Sequence, residues 1–373
     1  MDDLRYRGFR PLGWGEWNVV TGRLACVLLG GLAAAPCGAT EHLMVVQELF
    51  VGPPADGVAT GLAPDARAQY AMLRMTAMGQ SLVHDSPIRI EDADGNLLGS
   101  FGTFPANVAD AGSFGCIYPN CPALILGTAA ARAPLPFPFD AVVDGQPARV
   151  ALPVAGGRAC FLSNEGALID CVAWGNFDCR RSGHCAGRNT ARLGDESANG
   201  CDVDFGAPAA PGGLRYGFAL ARRAFDCLHK DNLTQFVEAL PRPTNNGGAS
   251  APDADGDGLA DAFDCADADP SLLWPATEVQ GLRANEAQQF VWTAQSSTAG
   301  TGVRYDVVRG TLGAVDGFLD AACHAADTPS AAVADAATPP AGQGVYYLAR
   351  AGAGTACVAG YGPGRDALAA ICP

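Results

Sequence analysis

The chain has 373 residues, a formal net charge of −15 and a sequence pI near 4.6. Binding to a phosphate backbone or an anionic lipid surface needs a basic face, so this balance speaks against nucleic acid and anionic membranes as partners. Charged residues are only 17 %, lysine occurs once, at Lys230, and Gly (47) and Pro (26) are abundant. That composition suits loop-rich β domains better than helix bundles, whose surfaces draw on Glu and Lys.

Arg23 precedes an apolar run from Leu24 to Ala35. The run is too short to span a bilayer and has the length of a signal-peptide core. Cys37-Gly38-Ala39 ends it with small residues and places cleavage before Thr40, so residues 1–39 are expected to be a signal peptide. Lipid anchoring through Cys37 is the alternative, opposed by Pro36 just before it. No later stretch is apolar enough to cross a membrane, so no span is expected in the mature chain. Of 14 cysteines, Cys26 and Cys37 fall in the signal segment. The remaining twelve are an even number, as a disulfide framework in an oxidising compartment requires. Sequence neighbours suggest Cys116–Cys121, Cys160–Cys171, Cys179–Cys185 and Cys201–Cys227. The pairing of Cys265, Cys323, Cys357 and Cys372 stays open, with no bridge expected between the eight and the four.

From Thr40 to Asn246 the pattern is strand-like. Leu43–Phe50, Gln69–Met75, Pro87–Glu91, Leu97–Phe101, Arg149–Pro153, Ala159–Leu162 and Leu168–Trp174 are short apolar segments separated by turns. Asp92-Ala-Asp94-Gly95-Asn96 reads as a hairpin turn. If Asn164-Glu-Gly166 also closes a hairpin, Cys160 and Cys171 face each other across it. Gln69-Tyr-Ala-Met-Leu-Arg74, the turn at Asp92, Asp170-Cys-Val-Ala-Trp-Gly-Asn-Phe177 and the ending Phe236–Asn246 together resemble the lamin-tail-like domains of secreted bacterial proteins. The resemblance implies an immunoglobulin-like sandwich that serves as a binding or structural module and carries no catalytic residues.

Pro241–Pro252 has the composition of a linker. It leads into Asp253-Ala-Asp255-Gly-Asp257-Gly258-Leu259-Ala-Asp261-Ala-Phe-Asp264. Asp stands at loop positions 1, 3, 5, 9 and 12, and Gly258 stands at position 6, where the tight turn of a calcium loop needs glycine. Leu259, at position 7, can offer its carbonyl. No Lys or Arg lies between Asp253 and Asp269 to neutralise the cluster. Hard carboxylate oxygens favour Ca²⁺ over Zn²⁺ or Cu²⁺. The candidate metal ligands are therefore Asp253, Asp255, Asp257, Leu259, Asp261 and Asp264. The stretch resembles thrombospondin type 3 calcium repeats and, with Trp274-Pro-Ala-Thr-Glu278, the metal-binding repeats of bacterial surface proteins.

Residues 279–373 alternate again. Gln289–Thr293, Val303–Arg309 and Val345–Arg350 read as strands. Trp292, Tyr305 and Tyr347 resemble the core aromatics of a fibronectin type III domain, and Arg309 and Arg350 are expected to meet carboxylates. The expected fold is therefore all-β, with sandwich domains at 40–246 and 279–373 joined by a linker and acidic calcium loop at 247–278. Calcium is expected to stiffen that joint as a hinge.

Catalytic signatures are scarce. The five histidines, His42, His84, His184, His229 and His324, form no His-Glu-x-x-His, and there is no Gly-x-Ser-x-Gly elbow, phosphate loop or dinucleotide fingerprint. Cys179-Arg-Arg-Ser-Gly-His184-Cys185 offers zinc-type ligands, but export favours disulfides there. The expectation is an exported, non-catalytic, Ca²⁺-binding protein of the extracellular space or bacterial cell surface. Its partner would be a protein or polysaccharide. The alternatives are a secreted hydrolase or nuclease-associated accessory protein with an unrecognised site, and a metal-capture protein.

Overall fold

The structure, a computed structural model, describes residues 43–58, 61–76, 79–109, 116, 118–178, 209–223, 232–285, 289–314, 318, 320–352, 357–361 and 365–372. The expected signal peptide lies outside them, as do Cys179, Cys185, Cys201, Cys227, His42, His184 and His229. The described residues are strand-dominated, with short helices and several sheets. No described helix is long and apolar enough to cross a membrane.

Ten strands precede the acidic loop: β1 (Met44–Phe50), β2 (Tyr70–Met75), β3 (Pro87–Asp92), β4 (Leu97–Thr103), β5 (Ala123–Gly127), β6 (Ala141–Val142), β7 (Gly156–Leu162), β8 (Leu168–Gly175), β9 (Ala219–Arg222) and β10 (Phe236–Ala239). One sheet has the order β10-β9-β1-β2-β5-β6 and the other β4-β3-β7-β8. Val46, Leu49, Leu73 and Leu126 of the first pack in one core with Ile90, Phe161, Val172 and Trp174 of the second. Asp170 on β8 also ties the sheets together. It accepts hydrogen bonds from the backbone N–H of Val46 at 2.7 Å and from Nη2 of Arg222 at 2.6 Å, and both side chains are buried. Removing one partner of such a buried pair strands the other charge and costs about 3–5 kcal/mol.

The hairpin reading of Asp92–Asn96 holds. Asp92 Oδ1 accepts from the backbone N–H groups of Asp94 and Asn96, and Gly95 takes a φ of +80° between β3 and β4. Cys160 and Cys171 are direct cross-strand partners in β7 and β8 and are bonded. Cys116–Cys121 is bonded as well. The other two expected neighbour pairs lie outside the described residues.

After the acidic loop come β11 (Arg283–Ala284), β12 (Gln289–Val291), β13 (Arg304–Thr311), β14 (Ala322–Thr328), β15 (Ala332–Ala334) and β16 (Val345–Gly352). They form two three-stranded sheets, β11-β12-β15 and β14-β13-β16. Strands β12, β13 and β16 fall where alternation placed them. Trp292 and Tyr305 are buried together with ring centroids 5.3 Å apart. Tyr347 instead lies half-buried on the sheet, stacked on Phe290 at 3.7 Å. Arg309 meets Asp335 at 2.9 Å, and Arg350 meets Asp306 at 2.8 Å. The four late cysteines resolve as Cys265–Cys357 and Cys323–Cys372.

The segment expected to be a free hinge is docked. The outer face of the first sheet, Phe50, Tyr70, Met72 and Ile125, is covered on one side by Ala131, Phe137 and Phe139. On the other side it is covered by Leu259, Phe263 and Trp274. Burial on both faces explains why β1, β2 and β5 read as nearly unbroken apolar runs. Trp274 stacks on Phe50 at 6.0 Å and donates its indole N–H to the carbonyl of Gly217 at 3.0 Å. Gly217 has φ +82°, and a Cβ there would come within 2.9 Å of Pro54 and 3.2 Å of the Trp274 nitrogen. The neighbouring Leu272 packs the opposite way, on Cys357.

Trp274→Ala is therefore expected to lower the unfolding free energy by roughly 3–5 kcal/mol, the cost of deleting a large buried side chain. Urea denaturation checks this. A loss under about 1 kcal/mol, the range of changes outside a packed core, would return the segment to the status of a loose linker.

Candidate metal centre and an adjoining cavity

The acidic loop is folded by its own carboxylates. Asp253 accepts from the backbone N–H of Gly256 at 2.9 Å and of Gly258 at 3.1 Å. Asp255 Oδ1 accepts from Asp257 N at 3.2 Å, and Asp257 Oδ1 from Leu259 N at 2.7 Å. These are Asx turns, in which a short acidic side chain caps the backbone two or more residues on. Gly258 turns the chain at φ +99°, a conformation that disfavours any side chain. Leu259 then drops its side chain fully into the apolar cover of the first sheet, which anchors the loop.

Three of the six expected ligands converge. Carboxylate oxygens of Asp253, Asp255 and Asp257 lie within 4.8 Å of one another. Asp255 Oδ2 and Asp257 Oδ2 are shielded from solvent and have no hydrogen-bond partner. Asp261 is engaged by the N–H of Ala254 at 2.7 Å, and Asp264 by the N–H of Ala266 at 2.8 Å. Asp257 and Asp264 feel the crowding of charge. Partial burial, then repulsion from Asp255, Asp253 and Asp261, raises the pKa of Asp257. Burial, then repulsion from Asp257, Asp255 and Asp267, pushes Asp264 up to about 6. Unpartnered, mutually repelling hard oxygens around one point are a donor set that fits a divalent cation.

A cavity of about 430 Å³ adjoins the loop, and Asp253, Gly258 and Ala260 form one of its walls. Its floor is the outer face of β1 and β2, with Glu48, Met72 and Arg74. Glu48 faces the cavity because β1 carries a bulge. The pairing with β2 shifts between Val46 and Glu48, so Met44 and Val46 face the inner core, Leu49 and Val51 also face it, and Glu48 and Phe50 face outward. Strict alternation from Met44 would have driven Glu48 into the apolar interior. Sequence reading missed this residue. The one signal was a carboxylate set inside an otherwise nearly unbroken apolar strand, Met44-Val-Val-Gln-Glu48-Leu-Phe50.

Glu48 is 3 % exposed. Its Oε1 accepts from the Tyr70 hydroxyl and from the backbone N–H of Arg242, the latter at 3.1 Å. Burial pushes its pKa up from 4.5 to about 7, against the lowering pull of Tyr70, the Arg242 N–H, Arg74 and the Arg242 charge.

No protein-family model matches this chain, and no curated protein does either.

The Glu48 shift has a stability consequence. Between pH 4.5 and about 7 the folded protein keeps a proton that the unfolded chain has released. Stability therefore falls as pH rises through that window, by about 3 kcal/mol for this one group, and is flat above it. Glu48→Gln keeps an oxygen for Tyr70 and Arg242 but cannot titrate. Its unfolding free energy relative to the parent chain should rise from pH 5 to pH 8. Parallel pH profiles for the two chains would show that the carboxyl is not held protonated.

Proposed function

We propose that this chain is an exported, disulfide-linked, calcium-binding protein of the extracellular space or cell surface. Its β-rich parts act as non-catalytic binding modules, a lamin-tail-like sandwich followed by a fibronectin type III-like one, and contact a protein or polysaccharide there. The observation that carries the calcium reading is the pair of shielded, unpartnered oxygens on Asp255 and Asp257 beside Asp253. Asp257 takes the central role, because Asp253, Asp255 and Asp261 all press on its charge. The four disulfides among the described residues support an oxidising compartment. With the loop docked through Leu259, Phe263 and Trp274, calcium neutralises a wall of the fold instead of fixing a mobile hinge.

A hydrolase is the second reading, and one observation favours it. Glu48, a carboxyl protonated near neutrality, shares a cavity with Asp253, and general-acid chemistry uses such a group. Turnover of chromogenic glycosides that vanishes in Glu48→Gln would establish it.

Calorimetry on the full chain should give one calcium site with a dissociation constant of about 10⁻⁴ to 10⁻³ M, the range of extracellular modules. Asp257→Asn should abolish most of the binding. Because protonation of Asp257 and of the neighbouring Asp264 removes negative charge from the site, affinity should drop as pH falls through 6. No heat at millimolar calcium, or equal binding by Asp257→Asn, would remove the site.

A further inference from the structure

The cavity beside the loop has features that calcium binding does not use. Glu48 is buried, yet its Oε2 takes no partner among the described residues and is absent from the solvent-shielded atoms, so it opens into the cavity. The Arg242 guanidinium lies over Gly258, with Nη2 only 3.2 Å from where a Cβ would stand. It makes no hydrogen bond or ion pair with any described residue. Arg74 donates through Nη1 to the carbonyls of Pro119 and Cys121, both at 2.8 Å, while its Nη2 has no partner among the described residues and is absent from the solvent-shielded atoms, which leaves that donor open. Two cations with spare donors therefore line a cavity in a chain of net charge −15. Thr244 and Ser250 are also among its lining residues, and Met72 and Leu240 give it an apolar side. About 430 Å³ is near the low end of small-molecule sites, about 300–1,000 Å³, and suits a compact ligand.

We propose that this cavity binds a sugar acid, a carboxylate-bearing monosaccharide unit, with its carboxylate on Arg242 and Arg74 and its hydroxyls on Glu48 Oε2 and the Thr244 and Ser250 hydroxyls. Guanidinium groups suit carboxylates because their donors match the two oxygens. The charged groups facing Glu48 are Arg74 and Arg242, with Tyr70 beside it and Asp253 across the cavity. Below about pH 7 Glu48 is neutral and adds a donor without repelling the anion. Asp253 opposes the ligand by charge. It also belongs to the calcium cluster, so calcium should strengthen acid binding. Only this last coupling rests on the calcium reading.

Calorimetric titration of the full chain with glucuronate, glucose and glucosamine, at pH 6 with and without calcium, tests the proposal. Glucuronate should saturate the site and bind at least about tenfold more tightly than the neutral and cationic sugars, as one charge-assisted contact warrants. Arg242→Gln keeps the backbone N–H on Glu48 and should weaken glucuronate about tenfold while leaving the unfolding midpoint in place. Failure of all three sugars to saturate, equal affinity for glucose, preference for glucosamine, or an unchanged Arg242→Gln would each overturn it. Calcium titrated alone in the same series separates the two readings. Glucuronate binding without calcium binding keeps the cavity and removes the metal site, and the converse removes the cavity ligand.

Discussion

Everything near the candidate site depends on one apolar contact, the seating of Trp274 against Phe50. The ring stacks on the outer face of the first sheet, Phe263 packs beside both rings, and the indole N–H is satisfied by Gly217. Because Leu272 faces the other way onto Cys357, and Cys357 is bonded to Cys265, the stretch around residue 272 is held from both sides. Backbone bonds from Leu273 to Ala299 and from Ala276 to Cys357 extend the hold into the later strands. The acidic loop is carried on this clasp. Its polar interactions are Asx turns, which shape a loop but contribute little burial, and its apolar hold comes from Leu259 and Phe263.

That contact also explains how so much negative charge is tolerated. Asp253, Asp255 and Asp257 crowd one another, and two of their oxygens have no partner. Apolar burial is insensitive to charge, whereas the repulsion is felt directly by Asp257 and Asp264. Leu259, Phe263 and Trp274 therefore hold the loop in a shape that the carboxylates alone would oppose. A similar contest is played out at Glu48. The bulge in β1 turns the residue outward, the cover closes over it, and desolvation then outweighs the stabilising pull of Tyr70, Arg74 and Arg242.

Much of the strand content could be read from residues. The turn at Asp92–Asn96, the facing cysteines at 160 and 171, and the carboxylate partners of Arg309 in β13 and Arg350 in β16 followed from turn chemistry and alternation. The alanine-rich β14 and β15 did not, because Ala322–Thr328 and Ala332–Ala334 have neither alternation nor β-branched runs, and only pairing with β13 and β12 makes them strands. The acidic cluster was legible as spacing, although the structure gathers three of its carboxylates and engages Asp261 and Asp264 with backbone N–H groups. The hinge expectation failed for a definite reason. Leu259, Phe263 and Trp274 sit among Asp, Gly and Pro, so local composition marks a linker while three side chains mark an interface. The cavity was invisible because its two cations and its buried acid come from β1, β2 and the segment after β10, which only the tertiary fold brings together.

A docked loop changes what a cation would do here. In a disordered acidic linker, calcium has to order the chain as it binds, and that entropy is subtracted from affinity. Here the turns at Gly256 and Gly258 are already made, the carboxylates already cap backbone N–H groups, and the anchor residues are already buried. Binding would then act mainly on charge. It would relieve the repulsion that raises Asp257 and Asp264, favour their charged forms, and silence Asp253 on the cavity wall. The same ion would leave Arg242 and Arg74 as the dominant charges facing that space. The loop and the cavity are thus one electrostatic unit, joined through Asp253 and built on a sheet face that the loop's own Leu259 and Phe263 help to cover.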